Sequence, residues 1–327
     1  MGVFGGRGRT AADASPDGAD ERVAPRRHRP AARRLSALAS AVVLLAVGGW
    51  LWGAADPAPA GGGAAGPVRR PTEDELDVLQ RAEQLLIRDC MKEQGFSYFP
   101  VPRRPSADYR EFPYVVDDVD WARTNGYGRA VERRLDEEDA VAPRTAYYRS
   151  LPPDRAQALG VALNGPSPTG LEVANPVGGR LTHSDQGCAV GAWQRLYGDA
   201  RAWFGSSEVV NNLFGIRAGR VTQDPAYRDA VAVWSGCVAE RGHPADDPRQ
   251  LRDRQLLREG EAAEREDVPV AVAEAECARS TGLDTTVSGL DRRYADAVRA
   301  EHRAVFDTMW RLQTGALPTA REVAARG

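Results

Sequence analysis

The sequence has very little of several residue types that usually mark a catalytic or metal site. Lysine occurs once, at Lys92, against 42 arginines, and the 327 residues contain four histidines and four cysteines. The cysteines are too far apart to form the C-x2-4-C pair of a zinc site or a dithiol redox site. A Cys-His nucleophile would need a free thiol at Cys188 beside His183, and a disulfide there would remove it. The sequence therefore predicts no catalytic residue, no metal and no cofactor.

An excess of positive charge is also missing from most of the chain. Residues 1–34 contain eight arginines and four acidic residues, which leaves 35 basic and 42 acidic residues downstream. Nucleic acid binds to concentrated cationic surfaces, because its phosphates must exchange their counterions for Lys and Arg side chains. We predict no nucleic-acid partner.

One long apolar run lies near the N-terminus. Residues 35–55 carry no charge, and a helix of that length would span about 31 Å, close to the thickness of a bilayer's hydrocarbon core. A cluster of arginines precedes this run, while Trp50 and Trp52 lie near its far end, where amphipathic rings prefer the interface. We predict a single-pass transmembrane helix with a cytoplasmic N-terminus and an extracellular C-terminal domain.

The regions on either side of the apolar run have the composition of unfolded chain. The Arg-rich tail 1–34 has too few large apolar side chains to form a core, so we expect it to be disordered. Residues 56–71 form a linker rich in Pro, Gly and Ala. The alternative is a cleaved signal peptide, with the A-x-A site Ala58-Pro59-Ala60, which would make the protein secreted. No cysteine lies beside the run for a lipoprotein anchor.

Helical signals dominate after residue 71. Thr72 and Glu75 form a capping-box pattern that predicts a helix over 72–94. Asp224 and Pro225 form an N-cap and N1 pair that predicts a second helix up to Gly242. Further helices are predicted at about 129–138, 153–163, 184–197, 206–216, 247–263, 268–280 and 289–313. The best strand candidate, 112–116, is short and contains Pro113. The predicted fold class is mainly α.

The cysteines reveal a weak internal duplication. Cys90 and Cys237 each begin a helix C-terminus of the form C-h-x-E-x-G, and each is followed by a second cysteine in a later helix, Cys188 or Cys277. This pattern suggests two helical halves, 72–200 and 201–327, each stapled by one disulfide. Four cysteines allow three connectivities and sequence alone does not choose among them, but the repeat favours Cys90 with Cys188 and Cys237 with Cys277. An exported domain would favour their oxidation.

Several short segments resemble a set found in exported proteins of actinobacteria. They are Thr124–Gly128, Ala146–Leu151 through Leu163–Gly165, Gly187–Cys188 through Leu196–Gly198, Trp234–Cys237, and Ala273–Cys277 through Gly282–Leu283. The resemblance covers about residues 72–313. It implies a mostly helical extracytoplasmic domain with paired cysteines, and it implies no activity.

An irregular segment at about 97–127 is unusually aromatic. Eight of the chain's 23 aromatic residues fall within residues 96–127, and long loops without regular structure are commonly functional when they are not disordered. These rings either cover the helical core or form an exposed aromatic surface for an envelope protein or glycan. The predicted binding residues are Tyr98, Tyr109, Tyr114 and Trp121.

Acidic clusters provide the enzymatic alternative. Asp117, Asp118 and Asp120 precede Trp121, and 136–139 is an unbroken acidic run. A carboxylate pair near aromatic rings is the arrangement that cleaves glycosidic bonds. The sequence favours a non-catalytic, membrane-anchored or secreted cell-envelope protein that binds other envelope components, with a cell-wall hydrolase as the alternative.

Overall fold

A computed structural model describes residues 68–103, 110–258 and 260–327. The tail, the apolar span and most of the linker predicted within residues 1–71 lie outside these ranges. Among the helices described, none has both the length and the apolar character needed to cross a bilayer. The described residues are mainly helical, which confirms that part of the predicted fold class.

The described helices are joined by connections of very different lengths. They are α1 (Glu73–Glu93), α2 (Val119–Asn125), α3 (Arg129–Val141), α4 (Pro143–Ser150), α5 (Pro153–Asn164), α6 (Cys188–Tyr197), α7 (Ala200–Gln223), α8 (Pro225–Glu240), α9 (Pro248–Leu256), α10 (Glu261–Thr281), α11 (Leu283–Glu301) and α12 (Arg303–Arg326). Two strands, β1 (Gly170–Ala174) and β2 (Arg180–Ser184), form an antiparallel hairpin between α5 and α6.

The two helices with the clearest caps begin where the sequence predicts. At α1, Glu75 N donates to Thr72 Oγ1 at 3.2 Å and Thr72 N donates to Glu75 Oε2 at 2.9 Å, which completes the capping box. At α8, the Asp224 carboxylate accepts a hydrogen bond from Ala226 N at 2.9 Å. These bonds satisfy amides that have no partner within the helix. Both predicted helices are confirmed.

The strand candidate at 112–116 does not form a strand. The amide of Val116 donates to the Glu274 side chain at 2.8 Å, so it is not available to a neighbouring strand. Pro113 has no N–H to contribute. The observed hairpin lies at 170–184 instead, where Leu171 is buried and the turn between the strands contains consecutive glycines with positive φ.

Two long predicted helices are each divided in the structure. The stretch 247–263 is interrupted after α9, because α10 begins only at Glu261. The stretch 289–313 is interrupted at His302, where α11 ends and α12 begins. Apolar periodicity continues across both breaks, so the pattern alone does not reveal them.

The core is divided into two main clusters, and this division does not follow the boundary predicted at residue 200. One cluster is built from α1, α6 and α12, and a second from α8, α10 and α11. Helix α12 packs along α1 although it lies at the opposite end of the described chain. Helix α7 supplies Trp203 to the first cluster and Val221 to the second. Residues Gly66–Gly327 accordingly form one compact unit, and the two halves are not separate in sequence.

Two disulfides join the helices in the pairing that the duplication favours. Cys90 is bonded to Cys188 and Cys237 to Cys277. The duplicated motifs also end their helices in the same way. Phe96 N donates to Met91 O and His243 N donates to Val238 O, each at 2.9 Å, the six-to-one bond of a Schellman motif. The repeat is therefore a real structural equivalence at these two helix ends.

The end of α5 crosses the approach to α6 at Gly165. A Cβ at this position would lie 2.1 Å from Ser184 Oγ and 2.6 Å from the backbone oxygen of Gln186. The backbone there has φ 86° and ψ 167°, a region that residues with a side chain rarely adopt. Gly260 has almost the same backbone, φ 92° and ψ 168°, with open space around it.

We expect Gly165→Ala to lower the free energy of unfolding by roughly 1–3 kcal/mol more than Gly260→Ala. Both substitutions introduce similar backbone strain, so the difference isolates the steric overlap with Ser184 and Gln186. Denaturant unfolding of the two variants measures it. Equal losses would show that the crossing accommodates a methyl group.

Candidate functional site

Two tyrosines of the predicted aromatic surface direct their hydroxyl groups to partners within the fold. The Tyr98 hydroxyl donates to Gln84 Oε1 at 2.9 Å, and burial raises the pKa of Tyr98 to about 12. Tyr114 is 7 % exposed, and its hydroxyl donates to Asp291 Oδ1 at 2.6 Å. Burial, followed by the nearby Asp291 charge, raises the pKa of Tyr114. Because both phenols have an interior partner, the prediction of an exposed ring is wrong for Tyr114 and unsupported for Tyr98.

The other two predicted binding residues have different outcomes. Trp121 is half-buried in α2, with its ring centre 4.8 Å from that of Phe112. Tyr109 lies outside the described residues. Tyr98 and Trp121 are therefore the rings of the predicted set that the structure leaves partly accessible within the described ranges.

A buried glutamate on α10 explains why the irregular segment is held against the helices. Glu274 is fully buried, and it accepts hydrogen bonds from Val116 N at 2.8 Å and from Tyr127 Oη at 2.7 Å. The Arg252 guanidinium lies 3.6 Å from the same carboxylate. Burial raises the pKa of Glu274, and Arg252 opposes that rise. The carboxylate acts as an anchor shared by α9, α10 and the 112–127 segment.

A second ion pair anchors the start of α3. Asp267, two helical turns before Glu274 on α10, has its carboxylate 2.7 Å from Arg129 Nε. Asp267 is 2 % exposed, and burial raises its pKa while Arg129 opposes the rise. In the sequence, Glu274 is distinguished only as part of the segment before Cys277. No sequence signal marks Arg129 or Arg252. The partner of Arg129, Asp267, is more than a hundred residues away, and the partner of Arg252, Glu274, lies on the next helix.

A third buried carboxyl, Glu83 on α1, has a different environment. Its oxygens accept hydrogen bonds from Trp193 Nε1 at 3.2 Å and from Tyr197 Oη at 3.1 Å, both on α6. The Tyr197 ring stacks on Trp203 with ring centres 3.7 Å apart. Burial raises the pKa of Glu83. This site joins α1 to α6 a few turns away from the Cys90–Cys188 disulfide.

A cleft of about 390 Å³ lies between the 110–117 segment and α11. Its polar walls are formed by Arg110, Glu111, Tyr114, Asp117, Ser288 and Asp291. Asp291 is fixed by the Tyr114 hydroxyl and by Arg217, whose Nε lies 3.0 Å from its carboxylate. Burial raises the pKa of Asp117, and the charges of Asp284 and Asp118 add to that rise. The cleft therefore carries more acidic than basic groups on a rigid wall.

The remaining acidic candidates serve local structure. Asp118 accepts a hydrogen bond from Trp121 N at 2.9 Å as the N-cap of α2, and it pairs with Arg110 at 2.6 Å. Asp120 is exposed and pairs with Arg123 at 2.9 Å. The 136–139 run lies on α3, where its side chains pair with arginines on the same or the next helix. Of the predicted acidic residues, only Asp117 lines the cleft.

The structure removes the thiol chemistry that the sequence left open. Cys188 is in a disulfide, so it has no thiol for His183 to activate. The His183 ring packs 5.0 Å from that of Trp193. Within the described ranges, no group of His, Cys, Asp and Glu side chains is placed to hold a metal ion.

A second depression, of about 430 Å³, lies beside the starts of α6 and α7. Three of its polar side chains already have structural partners. Asp199 caps α7 through Ala202 N at 2.8 Å, Gln194 accepts from Ala200 N at 3.1 Å, and Arg201 donates to Gly170 O at 3.1 Å. The cleft at α11 is therefore the stronger candidate for a binding site.

The fold and the site define a mainly helical protein with two intramolecular disulfides and an acidic surface cleft. Comparisons with protein-family models, curated proteins and solved structures find no match to this chain.

Proposed function

We propose that this chain is a non-catalytic cell-envelope protein whose helical domain binds another envelope component outside the membrane. The apolar run 35–55 behind clustered arginines supports export with the C-terminal domain outside, as a membrane-anchored or secreted protein. The two disulfides support an oxidising compartment. The resemblance of the 72–313 segments to exported actinobacterial proteins supports the same location.

The cleft at α11 is the observation that supports binding. Its walls combine the Phe112 ring and Val287 with carboxylates of Glu111, Asp117 and Asp291. Arg110, the cation on its wall, is already paired with Asp118 at 2.6 Å. A partner with an exposed amine or guanidinium would therefore find charge complementarity there, which favours specific encounter over non-specific contact.

The hydrolase remains the second candidate because two carboxylates, Asp117 and Asp291, line the same cleft. Asp291 is charge-compensated by Arg217 and accepts a hydrogen bond from Tyr114, so it is already committed as an acceptor. A catalytic pair would require both carboxyl groups to reach one glycosidic bond from opposite sides. The binding function needs no such arrangement.

We expect a photo-crosslinking side chain at Ser288, on the cleft wall, to give one discrete adduct in intact cells. The same group at Val161, an exposed residue on α5 away from the cleft, serves as the matched control and should give none. Adding Asp117→Lys should weaken the Ser288 adduct by about tenfold, which corresponds to a lost charge interaction of roughly 1.4 kcal/mol. Protease added to protoplasts should remove a C-terminal tag.

Three results would contradict this function. Equal adducts from Ser288 and Val161 would show that the cleft is not a binding site, and a tag protected in intact protoplasts would exclude the topology. Release of soluble fragments from purified cell wall, abolished by Asp117→Asn and by Asp291→Asn, would establish the hydrolase instead. Each variant is first checked for an unchanged melting temperature.

A further inference from the structure

Glu83 is a buried carboxyl without a cation. It is 4 % exposed, and the hydrogen bonds that it accepts come from the neutral side chains of Trp193 and Tyr197. Within the part of the chain that the structure describes, no Lys, Arg or His side chain lies at ion-pair distance from it. A carboxylate in such surroundings is costly, and the usual outcome is that the group keeps its proton.

The elements packed around Glu83 bring no compensating charge to it. The polar and ionisable groups that they present are Gln80 and Gln84 from α1, Tyr98 after it, Trp193 and Tyr197 from α6, Trp203 from α7, His183 behind Trp193, and Gln313 from α12. Of the arginines near these elements, Arg103 pairs with Asp77, Arg155 lies over the Phe96 ring and Arg321 lies near Glu75, while Arg81 and Arg195 are exposed to solvent. Helix α5 adds apolar side chains to the same cluster.

The second core offers a direct contrast. Glu274 is just as buried on α10, three residues before a disulfide cysteine, but it has Arg252 at 3.6 Å and a backbone amide donor from Val116. The molecule thus contains two buried glutamates on disulfide-bearing helices, one compensated by a cation and one not. Burial raises the pKa of both carboxyls, but at Glu274 the Arg252 guanidinium opposes that rise.

We propose that Glu83 is a neutral carboxylic acid that acts as a pH-sensitive latch between α1 and α6. The latch is closed while Glu83 holds its proton. When the proton is lost, the buried carboxylate is charged, and its contact with water becomes favourable. Cys188 is the first residue of α6 and remains tied to Cys90, so that end stays in place. Trp193 and Tyr197 lie further along α6, and this C-terminal part, where Tyr197 stacks on Trp203 of α7, is the part that we expect to move. The device is independent of the function proposed for the cleft.

The direction of the pH effect follows from the burial. Burial raises the pKa of Glu83, and the hydrogen bonds from Trp193 and Tyr197 oppose that rise in part. The folded protein therefore holds the proton at a pH where the unfolded chain has lost it. The stability that this supplies is complete below about pH 4, the ordinary range for Glu, and is lost as the pH rises through the raised pKa. Between the two pKa values the folding equilibrium constant falls by about tenfold per pH unit.

The test compares the wild-type protein with Glu83→Gln and Glu274→Gln in urea unfolding from acidic to mildly alkaline pH. A glutamine side chain cannot ionise, so the advantage of the Glu83→Gln variant over the wild type should widen as the pH rises. The Glu274→Gln variant should lose stability and should remove a smaller part of the wild type's pH-dependence than Glu83→Gln does, because Arg252 opposes the rise in the Glu274 pKa. Tryptophan fluorescence should change over the same pH range in the wild type, because Trp193 and Trp203 lie at the latch.

A second measurement applies even if Glu83→Gln fails to fold. The infrared band of a protonated carboxyl should be present in the native wild-type protein and should disappear together with the fluorescence change. Parallel pH profiles for the wild type and Glu83→Gln would overturn the latch, as would absence of the protonated-carboxyl band below the fluorescence transition. A larger loss of pH-dependence in Glu274→Gln than in Glu83→Gln would overturn the assignment to Glu83.

Discussion

Replacing Glu274 by alanine should lower the free energy of unfolding by about 3–5 kcal/mol, because it breaks a buried ion pair and leaves its partners without an acceptor. The Arg252 guanidinium would remain between α9 and α10 without its carboxylate. The Val116 amide and the Tyr127 hydroxyl would each lose the acceptor that they now bond at 2.8 and 2.7 Å. Equilibrium unfolding in guanidinium chloride measures this loss.

Glu276→Ala is the matched control for that prediction. Glu276 lies two residues further along α10, and its partly exposed side chain pairs with Arg123 at 3.4 Å and with Arg241. Pairs accessible to solvent contribute little, so the variant should lose under about 1 kcal/mol. Similar losses of unfolding free energy in both variants would show that burial does not strengthen the contribution of the Glu274 contacts.

Removing the Cys90–Cys188 disulfide by double alanine substitution should lower the free energy of unfolding by about 4.7 kcal/mol. The bond closes a loop of 98 residues. Without it the conformational entropy of the unfolded chain increases, which favours unfolding. The loss is a large fraction of a typical domain's stability. Denaturant unfolding without reductant compares the variant with the wild type.

The Cys237–Cys277 disulfide provides the internal comparison. It closes a loop of 40 residues, for which the same chain-entropy relation gives about 4 kcal/mol. Reductant should bring the wild type to lower stability than either double variant alone. An unchanged unfolding midpoint for Cys90→Ala/Cys188→Ala would show that the contacts of α1, α6 and α12 suffice without the crosslink.

Three of the short segments, 124–128, 187–198 and 234–237, coincide with packing contacts. A Cβ on Gly126 would lie 3.1 Å from Asp267 Cβ, and a Cβ on Gly187 would lie 2.5 Å from Gly165 N. Trp234 Nε1 donates to the Glu274 carbonyl at 3.2 Å. These positions explain why the segments hold a fold together. The cleft, by contrast, involves residues 110–117 and 287–291, which lie outside these short segments.

The sequence by itself determined the local interactions. The capping box at Thr72 and Glu75, the Asp224 cap and the paired C-h-x-E-x-G termini involve residues within six positions of one another, so their geometry follows from the helix itself. The duplicated termini also favoured the correct disulfide pairing, because each equivalent helix end carries one cysteine. The helical class of the described chain follows from the same signals.

Long-range contacts decided the rest. Only tertiary structure shows that Val116 bonds Glu274 instead of a strand, and that α12 returns to complete the core around α1. It also decides that the Tyr114 ring points inward. The hydroxyl of this ring bonds to Asp291, which is 177 residues away in the sequence. The sequence marks a tyrosine as aromatic and amphipathic wherever it stands. Which end of the ring meets water depends on polar groups that folding brings from distant parts of the chain.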